Sequence, residues 1–182
     1  VRTLAIALTV LAVGAAPVAH ADPVNPLQPL VDAAAQRLLT ADPVAANKYL
    51  NGGQIQDPAR EQQVLDTVAA AAATMGADPA YTREVFRDQI DASVAVQYSL
   101  FAHWKLDPAA VPATAPDLTA TRATIDGLNQ TIVSEIAAQW PALTAPSCGA
   151  VVSAAVEQVA TQRALDPLHR RALEFATGDY CR

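Results

Sequence analysis

PAYTREVFRDQIDASVAVQYSLFAHWK, residues 79–105, is the stretch that decides the fold class. Its apolar side chains Val85, Phe86, Ile90, Val94, Val96, Leu100 and Trp104 recur mostly at three- and four-residue spacing, the period of a helix that buries one stripe. Asp78 precedes Pro79. An aspartate at that place accepts hydrogen bonds from the first free backbone amides, and proline suits the first helical position because its missing N–H needs no partner there. The spacing predicts one long helix from Pro79 to about Lys105.

The same signals recur outward along the chain. Asp-Pro pairs stand at Asp42-Pro43, Asp57-Pro58 and Asp166-Pro167 as well, and each reads as a helix start. Helices are expected over about Leu27 to Thr40, Pro43 to Leu50 and Pro58 to Met75. A proline-rich break follows the long helix from Leu106 to Pro116, and Asp117 then caps a helix reaching about Trp140. Two shorter helices are expected near Gly149 to Ala164 and Pro167 to Thr177. The chain is rich in alanine, with 7 glycines and 5% aromatic residues, and shows hardly any two-residue alternation. The reading is all-α: a single-domain helical bundle of about six helices, without repeats or an internal domain boundary.

Residues 1–21 read as a secretory signal peptide. Arg2 precedes an apolar run from Leu4 to Val18, and the small-residue tripeptide Ala19-His20-Ala21 places cleavage before Asp22. The run is shorter than the roughly 20 residues a spanning helix needs, so the mature chain, residues 22–182, is expected to be secreted or periplasmic and free of the membrane. Its two cysteines, Cys148 and Cys181, then meet an oxidising compartment and are expected to form one disulfide, as staples rather than nucleophiles. The net charge of −6, with no basic arm or stripe, argues against nucleic acid as a partner. No metal site is expected: His20 leaves with the signal, while His103 and His169 lack ligands at helical spacing and read as ordinary surface or interface histidines.

Polar residues that fall inside apolar stripes carry the functional information, because burying an unpartnered charge is expensive. Arg37 shares a face with Leu30 and Ala34, Lys48 follows Val44 by four, and Arg60 precedes Val64 by four. Ser93 and Gln97 lie between Ile90 and Leu100, and Arg122 sits between Leu118 and Ile125. Taken singly, each reads best as a side chain that snorkels to water or bonds to local backbone. Taken together, four cations on helical faces of an acidic chain, without matching carboxylates, call for a small anionic ligand, with arginine forks gripping carboxylates at two points. A non-catalytic exported protein that binds a small anion or a partner protein accounts for some of these features. So does an internal polar network, which would need buried carboxylates opposite the cations, with Asp57 and Glu61 as its only candidates.

The same positions resemble a known family, the gamma subclass of the all-helical chorismate mutases, which are exported. The resemblance rests on Leu30-Val31-Asp32 with Arg37, Ala41-Asp42-Pro43-Val44-Ala45 with Lys48, and Asp57-Pro58-Ala59-Arg60-Glu61. It continues through Phe86-Arg87-Asp88-Gln89-Ile90 with Ser93 and Gln97, Phe101, Trp104-Lys105, Pro116-Asp117-Leu118 with Arg122, Ile125-Asp126, Ala145-Pro146-Ser147-Cys148 and Tyr180-Cys181. It implies an isomerase that converts chorismate to prephenate without metal or organic cofactor, as a homodimer. By the resemblance Arg37 and Arg122 clamp the substrate carboxylates, and Lys48 and Gln97 contact the ether oxygen. Arg60 with Ser93 completes the cationic wall, and Asp57 and Glu61 lie near the ring hydroxyl. Some relatives carry glutamate in place of Gln97 and glutamine in place of Val64.

Overall fold

Asp78 caps the long helix as its sequence requires, its Oδ1 accepting from the amides of Ala80 (2.7 Å) and Tyr81 (3.1 Å). In the computed structural model, which describes residues 25–182, this helix is α4, Pro79–Leu106. Before it lie α1 (Gln28–Leu39), α2 (Ala41–Asn51) and α3 (Pro58–Met75); after a short 3₁₀ turn at Pro108–Ala110 come α5 (Leu118–Ala138), α6 (Trp140–Leu143), α7 (Cys148–Gln162) and α8 (Pro167–Ala176). Seven of these α-helices have ten residues or more, α6 is a single turn, and there is no strand among the described residues. The expected signal peptide, residues 1–21, lies outside the described residues.

α1 runs through the middle. Leu30, Val31, Ala33, Ala34, Ala35 and Leu38 are all buried, so this helix is apolar on nearly every side and packs against α5, α7 and α8. α4 crosses beside it, with Val85, Phe86, Ile90 and Val96 in the same core and α2, α3 and α8 against its flanks. Each large apolar side chain buried in this way contributes about 1.5–3 kcal/mol. A smaller aromatic cluster closes the C-terminal end of α4, where Tyr49 meets Phe101 and Trp104 edge-on at centroid distances of 5.1 and 5.3 Å.

Of the four Asp-Pro pairs read as helix starts, three begin helices as expected: Asp57, Asp78 and Asp166 each accept from a first-turn amide. Asp42-Pro43 does not. α2 starts at Ala41, and Thr40, whose amide donates to the carbonyl of Arg37 (3.2 Å), is itself in helical conformation and leaves no extended cap position. Pro43 is tolerated because it still lies in the first turn. The Asp42 carboxylate is engaged elsewhere, with its Oδ1 2.9 Å from His169 Nε2.

That contact corrects the reading of His169 as a surface or interface residue. The ring is buried between two carboxylates, with Nδ1 2.9 Å from Asp166 and Nε2 2.9 Å from Asp42. The Asp42 hydrogen bond, reinforced by Asp166 against the opposing effect of burial, raises its pKa to about 9. At neutral pH it is an imidazolium that fastens the start of α8 to α2. The disulfide joins Cys148, the first residue of α7, to Cys181 beyond α8. The adjoining strap is held by Tyr81 Oη donating to the Tyr180 carbonyl at 2.6 Å and by the Arg182 amide donating to the Leu143 carbonyl at 2.9 Å. Among the described residues no helix is long and apolar enough to cross a membrane.

Candidate active site

All eight residues singled out in the sequence line one cleft of about 160 Å³. α1 contributes Arg37, α2 Lys48, the start of α3 Asp57, Arg60 and Glu61, α4 Ser93 and Gln97, and α5 Arg122. The remaining wall is largely apolar, with Val44, Ile55, Ile90, Val94, Leu118 and Ile125 among its residues. The alignment follows from helical spacing: Ser93 and Gln97 are one turn apart on the face of α4 that also carries Ile90, and Arg122 shares a face of α5 with Leu118 and Ile125.

The cations are buried to different depths. Arg37 is the deepest, only 6% exposed. Its guanidinium carbon lies 5.6 Å from the centre of the Phe86 ring, Nε donates to Asn129 Oδ1 at 2.7 Å, and Nη1 donates to the Gln89 carbonyl at 3.4 Å. Among the described residues it forms no ion pair. Burial pulls its pKa down to about 10, which leaves it cationic at neutral pH.

Lys48 is half-buried. Nζ donates to the Ile55 carbonyl at 2.6 Å and to Gln97 Oε1 at 3.1 Å. Burial lowers its pKa from the ordinary lysine value, Asp57 and Glu61 oppose the shift, and Arg122 adds to it. Gln97 is buried, and its Nε2 lies 3.2 Å from the Ser93 carbonyl and 3.4 Å from Ser93 Oγ.

Arg60 and Arg122 are shallower than their stripe positions implied. The Arg60 side chain is 40% exposed; Nη1 donates to Gln63 Oε1 at 3.0 Å and Nη2 lies 3.6 Å from Asp126 Oδ1. Arg122 is exposed at the rim. Both residues sit within the first five residues of their helices, where a stripe position faces the mouth of the bundle rather than its centre.

The two carboxylates are turned to structural partners. Asp57 Oδ1 accepts from the Arg60 amide at 3.1 Å as the cap of α3, and Glu61 Oε2 accepts from Arg87 Nη1 at 2.9 Å. Neither forms an ion pair with a cleft cation, so the internal polar network loses the carboxylates it needed. Asn129, Gln89 and Arg87 were not singled out as site residues, although Arg87 and Gln89 stand in a stretch that carries the family resemblance. Asn129 could have been found by the rule that found the cations, since it lies four residues after Ile125 and three before Ile132 on α5.

The bundle and its cleft define a class: a helical protein whose cleft sets cations and amides on apolar walls, an arrangement able to hold and orient a small polyanion. Residues 28–98 match the family model of chorismate mutase type II. Along nearly its whole length the chain is similar to the secreted chorismate mutase of Mycolicibacterium smegmatis, 55% identical over 177 residues that cover 97% of this chain and 98% of that one. It is 44% identical over 179 residues to the secreted chorismate mutase of Mycobacterium tuberculosis, covering 98% and 90%. The crystal structure of chorismate mutase from Burkholderia phymatum matches with a TM-score of 0.83 at 36% identity, covering 87% of this chain and 97% of that one. The chain belongs to the type II chorismate mutase family, among its secreted members.

Proposed function

We propose that the cleft binds chorismate and rearranges it to prephenate, with the eight lining residues in the roles that the family resemblance assigns. The observation that carries this reading is the meeting of Lys48 and Gln97, 49 positions apart in sequence, at 3.1 Å on the cleft wall. The reaction is a unimolecular pericyclic shift in which one carbon–oxygen bond breaks as one carbon–carbon bond forms. No proton carrier or nucleophile is required. The protein must hold the enolpyruvyl arm folded over the ring and stabilise negative charge growing on the ether oxygen.

The donors for that task have capacity left. An ammonium has three N–H groups, and the carbonyls of Ile55 and Gln97 take two of those on Lys48. The third faces the ether oxygen in this reading, together with the Gln97 N–H that otherwise makes the long 3.4 Å contact with Ser93 Oγ. Arg37 has five N–H groups and uses two on Asn129 and Gln89, leaving three for a substrate carboxylate. Arg122 at the rim grips the second carboxylate, and Arg60 with Ser93 completes the cationic wall. With the Asp57 and Glu61 side chains engaged elsewhere, the start of α3 itself faces the ring hydroxyl. A donor placed at a developing oxyanion contributes about 3–4 kcal/mol to transition-state stabilisation.

Purified mature protein tests the reading through the loss of chorismate absorbance, with Lys48→Ala and Arg60→Ala alongside. Lys48→Ala should lower kcat by about a hundredfold or more, the range for removing one such donor. Equal conversion by wild type and both variants defeats the catalytic reading, and binding without conversion leaves a non-catalytic anion-binding protein. Each chain holds a complete cleft, so the homodimer in this reading is an association of two whole sites. Sedimentation of the purified chain tests it.

A further inference from the structure

The deepest cation of the cleft takes its orientation from a residue outside the cleft. Arg37 has one short hydrogen bond, from Nε to Asn129 Oδ1 at 2.7 Å, and one long one, from Nη1 to the Gln89 carbonyl at 3.4 Å. Phe86 covers the guanidinium from one side. Asn129 is buried on α5 and lines a neighbouring groove between α3 and α5. It therefore stands behind Arg37 and has no place in the cleft wall.

The chemistry of this acceptor matters. A bond at Nε fixes the plane of a guanidinium and leaves the outer edge between the two Nη groups for a two-point grip on a carboxylate. An amide provides that bond without cancelling charge. A carboxylate at the same place would form a buried ion pair with Arg37, and in surroundings of low dielectric it would compete directly with an incoming anion.

We propose that Asn129 is a positioning residue for this reaction: a neutral acceptor that aims the Nη groups of Arg37 into the cleft and leaves the guanidinium charge for the substrate. This rests on the reading of Arg37 as a carboxylate clamp. It assigns to Asn129 a role distinct from filling space between α1 and α5, because an asparagine that only fills space is replaced by leucine of similar volume without loss of substrate affinity.

Asn129→Asp is the informative variant, since it keeps size and a hydrogen-bond acceptor while adding charge. Asn129→Leu removes the acceptor at similar volume. Steady-state kinetics with chorismate and thermal unfolding are measured for both, alone and combined with Arg37→Ala. The expected result is a KM raised roughly ten- to hundredfold in each single variant, the range for disturbing one hydrogen bond to a charged group, with a smaller change in kcat. Asn129→Asp is expected to unfold no earlier than wild type, and its KM is expected to recover towards acidic pH as the introduced carboxyl is protonated. Neither change should add to the defect of Arg37→Ala. A wild-type KM in either folded single variant, with Arg37→Ala impaired, overturns the role of Asn129 alone. Wild-type kcat/KM in Arg37→Ala overturns the clamp and the proposal with it.

Discussion

Gln97→Glu turns a neutral amide donor into a group that donates only when protonated, and its consequence is calculable. In the cleft the Gln97 amide is buried and accepts from Lys48 Nζ at 3.1 Å. A glutamate there is under two opposing influences: burial raises its pKa and the adjacent ammonium lowers it. At an ordinary glutamate pKa of about 4.3, about one molecule in six carries the protonated carboxyl at pH 5 and about one in 500 at pH 7. The expected outcome is an approximately 80-fold fall in kcat/KM between those two values, tending to tenfold per pH unit. A different balance of burial and Lys48 shifts this limb along the pH axis without changing its slope. The wild type, whose amide does not titrate, is expected to be level over the same range. The assay is kcat/KM from chorismate disappearance at half-unit steps between pH 4.5 and 8, with circular dichroism at each pH to establish that the variant stays folded. A level profile in folded Gln97→Glu, or a profile parallel to that of the wild type, refutes a donor role for residue 97.

Lys48 sets the opposite limb. Because burial lowers its pKa, wild-type kcat/KM is expected to fall with rising pH before the ordinary lysine value of 10.5 is reached, and Lys48→Arg, whatever its absolute rate, should move that limb upward. The His169 clamp gives a pH dependence of stability. Its pKa rises from 6.5 when free to about 9 in the fold, so its contribution is fully present below pH 6.5 and lost as the pH climbs through 9. Discounted for the half-exposed carboxylates around it, the loss is about 2 kcal/mol, and urea titrations at pH 6 and pH 9.5 should show it in wild type but not in His169→Gln. Cys148 and Cys181 are 33 positions apart, and closing a loop of that length stabilises by about 4 kcal/mol on the chain-entropy model. Reduction, or Cys148→Ala with Cys181→Ala, should lower the urea midpoint accordingly, and an unchanged midpoint would show that the unfolded chain gains nothing from release.

Local signals were legible in the sequence where a single helix determines the outcome. The cap at Asp78 and the stripe of α4 are such cases, and so is the sharing of one face by Ser93 and Gln97. What depended on remote partners was not legible. Asp42 carries the same dipeptide signal as Asp57, Asp78 and Asp166, which cap their helices, yet its partner is His169, 127 residues away, and no local pattern distinguishes it. The depth of each cation was hidden for a related reason. Arg37 lies near the C-terminal end of a helix with neighbours on nearly every side, whereas Arg60 and Arg122 lie near the N-terminal ends of their helices at the bundle mouth, so equal stripe positions have unequal exposure. Asn129 was overlooked because an amide on an apolar stripe raises less alarm than a charge, although its burial is as deep as that of Arg37.

These placements also account for how an acidic chain keeps a cationic cleft. With 18 acidic residues against 12 lysines and arginines, carboxylates are plentiful, and any that reached Arg37 or Lys48 would compete with a substrate anion. The two on the cleft wall are held in other work. Asp57 is turned back onto the Arg60 amide by its duty as the cap of α3, and Glu61 is drawn outward by Arg87, which Asp91 in turn holds from one turn further along α4. The polar contacts that do reach the deep cations are neutral: the Asn129 and Gln97 amides and the carbonyls of Gln89 and Ile55. Neutral acceptors orient a cation and satisfy its hydrogen bonds while leaving its field intact. The cleft wall is therefore positive because four cations stand against two carboxylates, and its deep cations stay available because they are held by dipoles while Asp57 and Glu61 bond elsewhere, an arrangement that stays compatible with the negative charge of the chain as a whole.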